Sequence, residues 1–179
     1  MADPLILSSL RKLIAGGLLL SSAVACAWAQ GSPPQESHQF DFWLGQWDVS
    51  DPKGQPAGKS RIESIGEGAG ILENWTDSSG TTGKSLNVYN VRKKCWQQFW
   101  VGNGTPVLEL SGGLVDSSMV LTGTRKGRTG ATITDRITWT PNPDGSVGQH
   151  WESSTDGGKT WSDNFVGVYR RAGAPSPPS

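Results

Sequence analysis

Six acidic residues lie in apolar runs that predict β-strands: Asp48, Glu63, Glu73, Glu109, Asp135 and Glu152. Glu73 alternates with Ile71 and Trp75, so the three side chains share one strand face. A carboxyl group among apolar and aromatic neighbours has a raised pKa and can transfer protons, for example to a glycoside together with a second acid. Glu73 is therefore the candidate catalytic residue. A structural salt bridge, for which Arg61 on the adjacent predicted strand is a partner, is the favoured alternative.

Aromatic side chains favour a binding site over an enzyme. The chain has nine tryptophans in 179 residues, and in its strands they alternate with amide side chains. Rings that stack on a ligand, with amides that bond to its edges, suit a small-molecule pocket. The predicted ligand-binding residues are Arg61, Glu73, Trp75, Tyr89, Gln98, Trp100 and Trp151. Core packing is favoured for Trp43, Trp47 and Trp161, whereas pocket and core remain equal alternatives for Trp75, Trp100 and Trp151.

Other site chemistries have little support in the sequence. The two histidines are His38 and His150, too few for a usual zinc site, so no metal is predicted. An ordinary strand histidine is favoured over a haem ligand at His150, and no cofactor is expected. The chain contains no G-x-S-x-G segment, and a catalytic triad would have to use His150.

These residues lie in short runs rich in Val, Thr and Trp, which are separated by turn signals at a spacing of about 8–12 residues. The runs span residues 47–51, 59–65, 71–77, 84–91, 95–101, 107–110 with 114–115, 119–125, 132–140, 147–154 and 160–170. Consecutive hairpins favour an up-and-down meander that closes on itself and leaves no exposed edge. The sequence therefore predicts an all-β, antiparallel up-and-down barrel of about ten strands.

The N-terminal residues predict export. Arg11 and Lys12 precede an apolar run, and Ala27-Trp28-Ala29 forms a cleavage signal, so residues 1–29 are a predicted signal peptide. The apolar run is shorter than the roughly 20 residues that a membrane span needs. We therefore expect no membrane span after cleavage and a periplasmic or secreted protein. Lipidation at Cys26 is the disfavoured alternative.

The remaining boundaries follow from composition. Residues 30–39 are predicted to be a flexible leader, residues 40–171 the barrel domain, and residues 172–179 a disordered Pro-rich tail. The chain carries 16 basic and 16 acidic residues, and removal of the signal peptide changes this balance by one charge. Such a neutral chain lacks the basic character of nucleic-acid-binding proteins. The expected partner is a small molecule, and nothing in the composition sets an oligomeric state.

Gly45-Gln46-Trp47 on the first predicted strand, with Arg170 and Arg171 at the end of the last, resembles the calycin superfamily of lipocalins and their relatives. The resemblance implies that Trp47 closes the barrel floor and that a late arginine, Arg170 or Arg171, packs over its ring.

Three longer segments resemble a bacterial family of exported proteins with no established activity and an expected lipocalin-like barrel. They are Phe40-Asp41-Phe42-Trp43-Leu44-Gly45-Gln46-Trp47-Asp48-Val49, Ile71-Leu72-Glu73-Asn74-Trp75, and Glu152 to Trp161. Ser154 to Trp161 also resembles the Asp-box of sialidase propellers, a hairpin in which Asp156 caps backbone N–H groups. Because the chain has one such box, we interpret it as structural.

The sequence thus leads to one main functional hypothesis and two alternatives. The main hypothesis is an exported protein that binds a small apolar or aromatic molecule in the barrel mouth. The first alternative is an enzyme that uses Glu73 on a small or carbohydrate substrate. The second is a structural envelope protein whose barrel is filled by its own side chains.

Overall fold

The computed structural model of the protein describes residues 32–173. Ten strands are connected by turns: β1 (Gly45–Ser50), β2 (Pro56–Ile65), β3 (Gly70–Asp77), β4 (Thr82–Asn90), β5 (Cys95–Gly102), β6 (Leu108–Val115), β7 (Ser118–Lys126), β8 (Thr132–Pro141), β9 (Val147–Ser154) and β10 (Ser162–Arg171). The predicted signal peptide with Cys26, and the tail from residue 174 onward, lie outside the described residues. None of the helices within residues 32–173 has the length and apolar character needed to cross a bilayer.

Each strand pairs antiparallel with its neighbours in the chain, and β1 pairs with β10 to close the sheet. The protein is therefore an all-β, closed ten-stranded up-and-down barrel, which confirms the predicted fold class and is consistent with a lipocalin-like architecture. The gap between the predicted runs 107–110 and 114–115 does not divide the strand, because β6 is continuous through Gly112 and Gly113 and pairs with β5 and β7.

Alternation along the strands separates an inner face from an outer face. On β5, Trp96 and Gln98 are buried, while Phe99 between Gln98 and Trp100 is exposed. The inner face is apolar near one end, which we call the floor, and mixed near the other end, which we call the mouth. The mouth is the end that carries the β1–β2, β3–β4, β5–β6, β7–β8 and β9–β10 turns.

The floor is closed by the segment that precedes β1. Phe40 and Trp43 are completely buried, and their rings stack 5.0 Å apart. Phe40 also meets Trp96 of β5 edge to face at 5.6 Å, and Trp139 of β8 at 5.2 Å. One segment thus contacts two separate strands of the barrel wall, and it fills the floor with aromatic rings.

A short helix lies within the segment that the sequence predicts to be a flexible leader. Gln35–His38 form a 3-10 helix in which Ser37 is buried. The next residue, Gln39, accepts a hydrogen bond from the indole of Trp96 at 3.2 Å. The second half of residues 30–39 is thus ordered by docking against the floor, which its Pro- and Gln-rich composition did not indicate.

The Trp47 indole lies beside this cluster and is held on both sides. Its Nε1 donates to the carbonyl oxygen of Trp43 at 2.8 Å, and the guanidinium of Arg171 lies 4.0 Å from its ring centroid. Arg171 also donates to the carbonyl oxygen of Leu44. Of the two late arginines, Arg171 is the one that covers Trp47, whereas Arg170 pairs in register with Asp48 on the other face.

Candidate functional site

The mouth half of the barrel contains a cavity of about 330 Å³. Six aromatic residues contribute to its walls: Trp75, Trp100, Trp139, Trp151, Phe165 and Tyr169. Its polar lining includes Glu73, Asp77, Gln98 and Gln149. The volume and the few polar groups among aromatic rings match the usual character of small-molecule sites.

Three of these rings lie directly over glycines, two of them on an adjacent strand and one on the same strand. A Cβ atom added to Gly83 would lie 2.3 Å from Cη2 of Trp100, and one added to Gly58 would lie 2.7 Å from Cη2 of Trp75. Phe165 covers Gly167 of its own strand in the same way, at 2.6 Å. Because the rings rest against bare backbone, they form the cavity wall without projecting into the space that it encloses.

Glu73 of β3 is the buried acid of this cavity, with 5% of its surface exposed. Oε2 accepts a hydrogen bond from Ser85 Oγ at 2.9 Å, and Oε1 accepts one from Ser60 Oγ at 3.1 Å. Burial raises the pKa of Glu73 to about 7, against a smaller lowering by the two hydroxyl groups. The carboxyl group therefore changes its charge close to neutral pH.

A chain of amide and hydroxyl groups extends from Glu73 along the inner face. Gln98 Nε2 donates to Asn87 Oδ1 at 2.8 Å, and Asn87 Nδ2 donates to Ser85 Oγ at 3.0 Å. All four residues are buried. The bonds from Gln98 to Asn87, from Asn87 to Ser85 and from Ser85 to Glu73 are all donated in the direction of the carboxyl group. The chain therefore orients Ser85 and favours the ionised form of Glu73.

Trp151 is oriented by an ion pair close to the mouth. Its Nε1 donates to Asp135 Oδ1 at 2.9 Å, and Arg125 Nε donates to Asp135 Oδ2 at 2.7 Å. Asp135 is 1% exposed, so its charge requires this pairing. The pair fixes the indole of Trp151 in the cavity wall. Asp135 is thereby a positioning residue, although the sequence pattern identified it only as one of six strand acids.

Five of the predicted ligand-binding residues line the cavity together: Glu73, Trp75, Gln98, Trp100 and Trp151. Tyr89 does not line it, because it packs near the floor with its ring 6.2 Å from that of Trp96. Arg61 lies on the outer face, where it pairs with Glu63. The expectation that Arg61 orients a ligand or pairs with Glu73 is therefore corrected: Ser60 and Ile62 take the inward positions of β2.

Sequence reasoning missed several residues of the site, and strand pairing would have found some of them. Ser85 is the direct cross-strand partner of Glu73, and the short turn between β3 and β4 sets that register. Tyr169 and Phe165 alternate along β10 with Gly167, as inward residues do. For Trp139, by contrast, the sequence pattern does not distinguish a cavity residue from a core residue.

Tyr169 contacts both halves of the barrel interior. It is 1% exposed, and its hydroxyl donates to Gln149 Oε1. Burial, with the nearby charge of Glu73 as the smaller cause, raises the pKa of Tyr169 well above its ordinary value of 10.0. The phenol is therefore neutral throughout the physiological range and serves as a hydrogen-bond donor.

His150 is not among the residues that line the cavity. Its Nε2 lies 2.7 Å from Asp163 Oδ1, and its Nδ1 lies 3.6 Å from Glu152 Oε2. Within residues 32–173, no group of three or more His, Cys, Asp or Glu side chains is arranged to hold a metal ion. His150 is therefore not placed to be the axial ligand of a haem in the cavity.

The Ser154 to Trp161 segment forms a tight hairpin beside the mouth. Asp156 Oδ1 accepts hydrogen bonds from the backbone N–H groups of Lys159 and Thr160 at 2.9 and 3.0 Å. Trp161 is half-buried under the turn, with the guanidinium of Arg136 4.0 Å from its ring centroid. The hairpin matches the structural interpretation of this motif, although Trp161 packs against Arg136 rather than within the core.

Fold and site together define a closed ten-stranded β-barrel with a filled floor and an aromatic cavity at its mouth. No protein-family model matches the chain. A search of curated proteins also gave no match.

Proposed function

We propose that the protein is an exported, lipocalin-like carrier that captures a small apolar or aromatic molecule in the cavity at the barrel mouth. The observation that carries this proposal is the cavity of about 330 Å³ with six aromatic residues in its walls. The same space argues against the alternative of a structural envelope protein with a completely filled barrel.

Burial of apolar surface supplies the driving force for capture. One aromatic ring that buries about 150 Å² at about 25 cal/mol per Å² gains about 4 kcal/mol before the costs of immobilisation. Gln98 and Gln149 line the cavity, and their amide groups provide orientation through hydrogen bonds. The rings of Trp75 and Phe165 meet edge to face at 5.8 Å, so this part of the wall is ordered before a ligand arrives.

The lipocalin-like and exported parts of the proposal are supported by separate features. The Gly45-Gln46-Trp47 segment with Arg171 over the Trp47 ring forms the floor arrangement that the calycin resemblance implies. The N-terminal charge, apolar run and A-x-A signal support a periplasmic or secreted location. Detection of mature protein that begins at Gln30 in the periplasm or culture medium would test this part, and full-length protein retained in the cytoplasm would contradict it.

A blocking variant tests capture in the cavity. Ala57 lines the cavity, whereas Ala131 lies exposed in the β7–β8 turn. Native mass spectrometry of protein exported by its own host should show a bound small molecule in the wild type and in Ala131→Phe, and less of it in Ala57→Phe. Equal retention of the molecule by both variants would place it outside the cavity, and a clean unliganded mass in the wild type would count against capture.

The enzymatic alternative has one specific observation in its favour. A buried carboxyl group with a pKa of about 7 is suited to proton transfer at neutral pH. The second acid in the lining, Asp77, caps its own turn through hydrogen bonds to Ser79 and Thr81, which lower its pKa. In a glycosidase-like pair of carboxyl groups, Glu73 would therefore be the proton-donating acid. Turnover by the Glu73→Gln variant at the wild-type rate would contradict the role of Glu73 as the catalytic acid.

A further inference from the structure

The charges around the cavity are unbalanced. Glu73 and Asp77 line it, and no Lys, Arg or His of residues 32–173 does. The nearby Arg125 is engaged by Asp135, and Arg61 by Glu63 on the outer face. The cavity lining therefore presents acidic groups without a basic partner.

Glu73 is the group for which this imbalance matters most. Its two oxygens receive hydroxyl donors from Ser85 and Ser60, which are neutral dipoles. Among the described residues, none of the salt bridges includes Glu73. A buried carboxylate without a counter-charge is costly. A cation that enters the cavity relieves this cost in addition to making its own contacts.

The aromatic walls favour the same kind of ligand. Ring faces carry negative charge density and attract ammonium groups, most strongly when water is excluded. Trp75, Trp100, Trp139 and Trp151 all contribute to the lining with Glu73. Quaternary and protonated amines are bound by such combinations of rings because the ring faces and a nearby acid attract the same charge.

Building on the proposed carrier function, we infer that the captured molecule is an organic cation, with a protonated amine or ammonium group attached to an apolar or aromatic body. The charged nitrogen lies against Glu73 and the ring faces, and the apolar body fills the rest of the cavity. The side chain of Gln98, whose Nε2 is committed to Asn87, presents its carbonyl oxygen as a further acceptor for an N–H group.

Binding of such a cation is coupled to the ionisation of Glu73. The pKa of Glu73 is about 7, and a bound cation favours its ionised form, so binding at lower pH releases a proton. The other titratable groups of the lining do not change charge there, since the pKa of Tyr169 is raised well above 10.0 and that of Asp77 is lowered. Affinity for the cation therefore increases with pH through the pKa of Glu73 and becomes constant about one pH unit above it.

Three probes of one size and different charge test the inference by isothermal titration calorimetry: 2-phenylethylamine, 2-phenylethanol and phenylacetate. At pH 8 we expect the amine to bind at least about tenfold more tightly than the alcohol, since one well-placed ion interaction of about 1.4 kcal/mol changes affinity tenfold. Phenylacetate should bind most weakly. From pH 8 to pH 5.5 the affinity of the amine should fall about tenfold or more, while that of the alcohol should not fall.

The variant Glu73→Gln should reduce the difference between amine and alcohol to about twofold or less and should retain binding of the alcohol. Glu63→Gln, which neutralises an acid on the outer face, should behave as the wild type does. Equal or tighter binding of the alcohol by the wild type would overturn the cation preference and leave the carrier function standing. Failure of all three probes to bind would overturn both, and the pH series on the wild type tests the inference even if a variant folds poorly.

Discussion

At the scale of single residues, the floor shows why a glycine and a tryptophan are separated by one position. Gly45 has a φ of +133°, and a Cβ atom added there would lie 2.0 Å from Nη1 of Arg171. The missing side chain thus leaves room for the guanidinium that covers Trp47. The Gly-x-Trp fragment, the strand register and the cation–π contact therefore depend on one another.

We expect Arg171→Ala to destabilise the protein by about 1–2 kcal/mol, because it removes the contact with the Trp47 ring and the hydrogen bond to Leu44. Arg170→Ala is the matched control, because Arg170 points to the other face, and it should change stability by less than about 0.5 kcal/mol. Urea unfolding followed by tryptophan fluorescence measures both. Equal effects of the two substitutions would contradict the role assigned to Arg171.

Glu73 should give the protein a pH dependence of stability that Glu73→Gln removes. Because the pKa of Glu73 is raised from 4.5 to about 7 on folding, the folded state binds the proton more tightly. This contribution is fully present below pH 4.5, and it is lost as the pH rises to about 7. The loss is on the order of 3 kcal/mol.

The measurement compares wild type and Glu73→Gln by urea unfolding at pH 4 and pH 8, which cancels the contributions of the other acids. The stability of the variant relative to the wild type should rise between the two pH values. Glu63→Gln, at an exposed ion pair, should leave the wild-type pH dependence unchanged. A constant difference between wild type and Glu73→Gln would show that Glu73 titrates alike in the folded and unfolded states.

The sequence identified Glu73 through its alternation with Trp75, since period-two spacing is a local property. It failed at Arg61 because a shared face does not reveal whether that face is inner or outer, and a shift by one residue reverses the answer. It missed Ser60 and Ser85 because their roles depend on register between strands. Local pattern therefore predicts candidate residues, and pairing decides which of them meet.

At the scale of elements, the cavity wall depends on glycines that lie under aromatic rings. We expect Gly83→Ala to displace the Trp100 ring, to weaken its hydrogen bond to Thr105 and to cost about 1–3 kcal/mol, because the added methyl group overpacks the wall. The indole N–H resonance of Trp100 should shift, and ligand affinity should fall with it.

Gly113→Ala provides the comparison, since no heavy atom lies within 4 Å of a Cβ atom at that strand position. This substitution should leave the Trp100 resonance in place and change stability by less than about 1 kcal/mol. An unchanged Trp100 resonance in Gly83→Ala would contradict the packing of the ring on Gly83.

Strand boundaries were the most predictable feature at this scale. The predicted run 147–154 coincides with β9, because strong turn residues bound it on both sides, Pro141 to Gly145 before it and Asp156 to Gly158 after it. The 3-10 helix Gln35–His38 was not predictable, because its order comes from contacts such as that between Gln39 and Trp96. A Pro-rich segment carries no signal for a docking site that forms only when the barrel closes.

At the scale of the whole molecule, the barrel interior is divided into a filled floor and an open mouth. The floor is a cluster of completely buried rings that includes Phe40 and Trp43, whereas the mouth encloses space. The number of strands alone does not produce this division. It depends on the segment before β1, which fills one end and leaves the mouth accessible from the turns.

The central claim is that a small ring-bearing molecule enters the mouth cavity, and the indole N–H resonances of the tryptophans report on it directly. In a two-dimensional NMR titration with 2-phenylethylamine at pH 8, the resonances of Trp75, Trp100 and Trp151 should shift together and saturate. Those of Trp43 and Trp47, which lie in the floor, should stay in place. Saturable shifts confined to the mouth tryptophans are the predicted result; unchanged mouth resonances up to millimolar probe, or equal shifts of the floor tryptophans, would contradict the account.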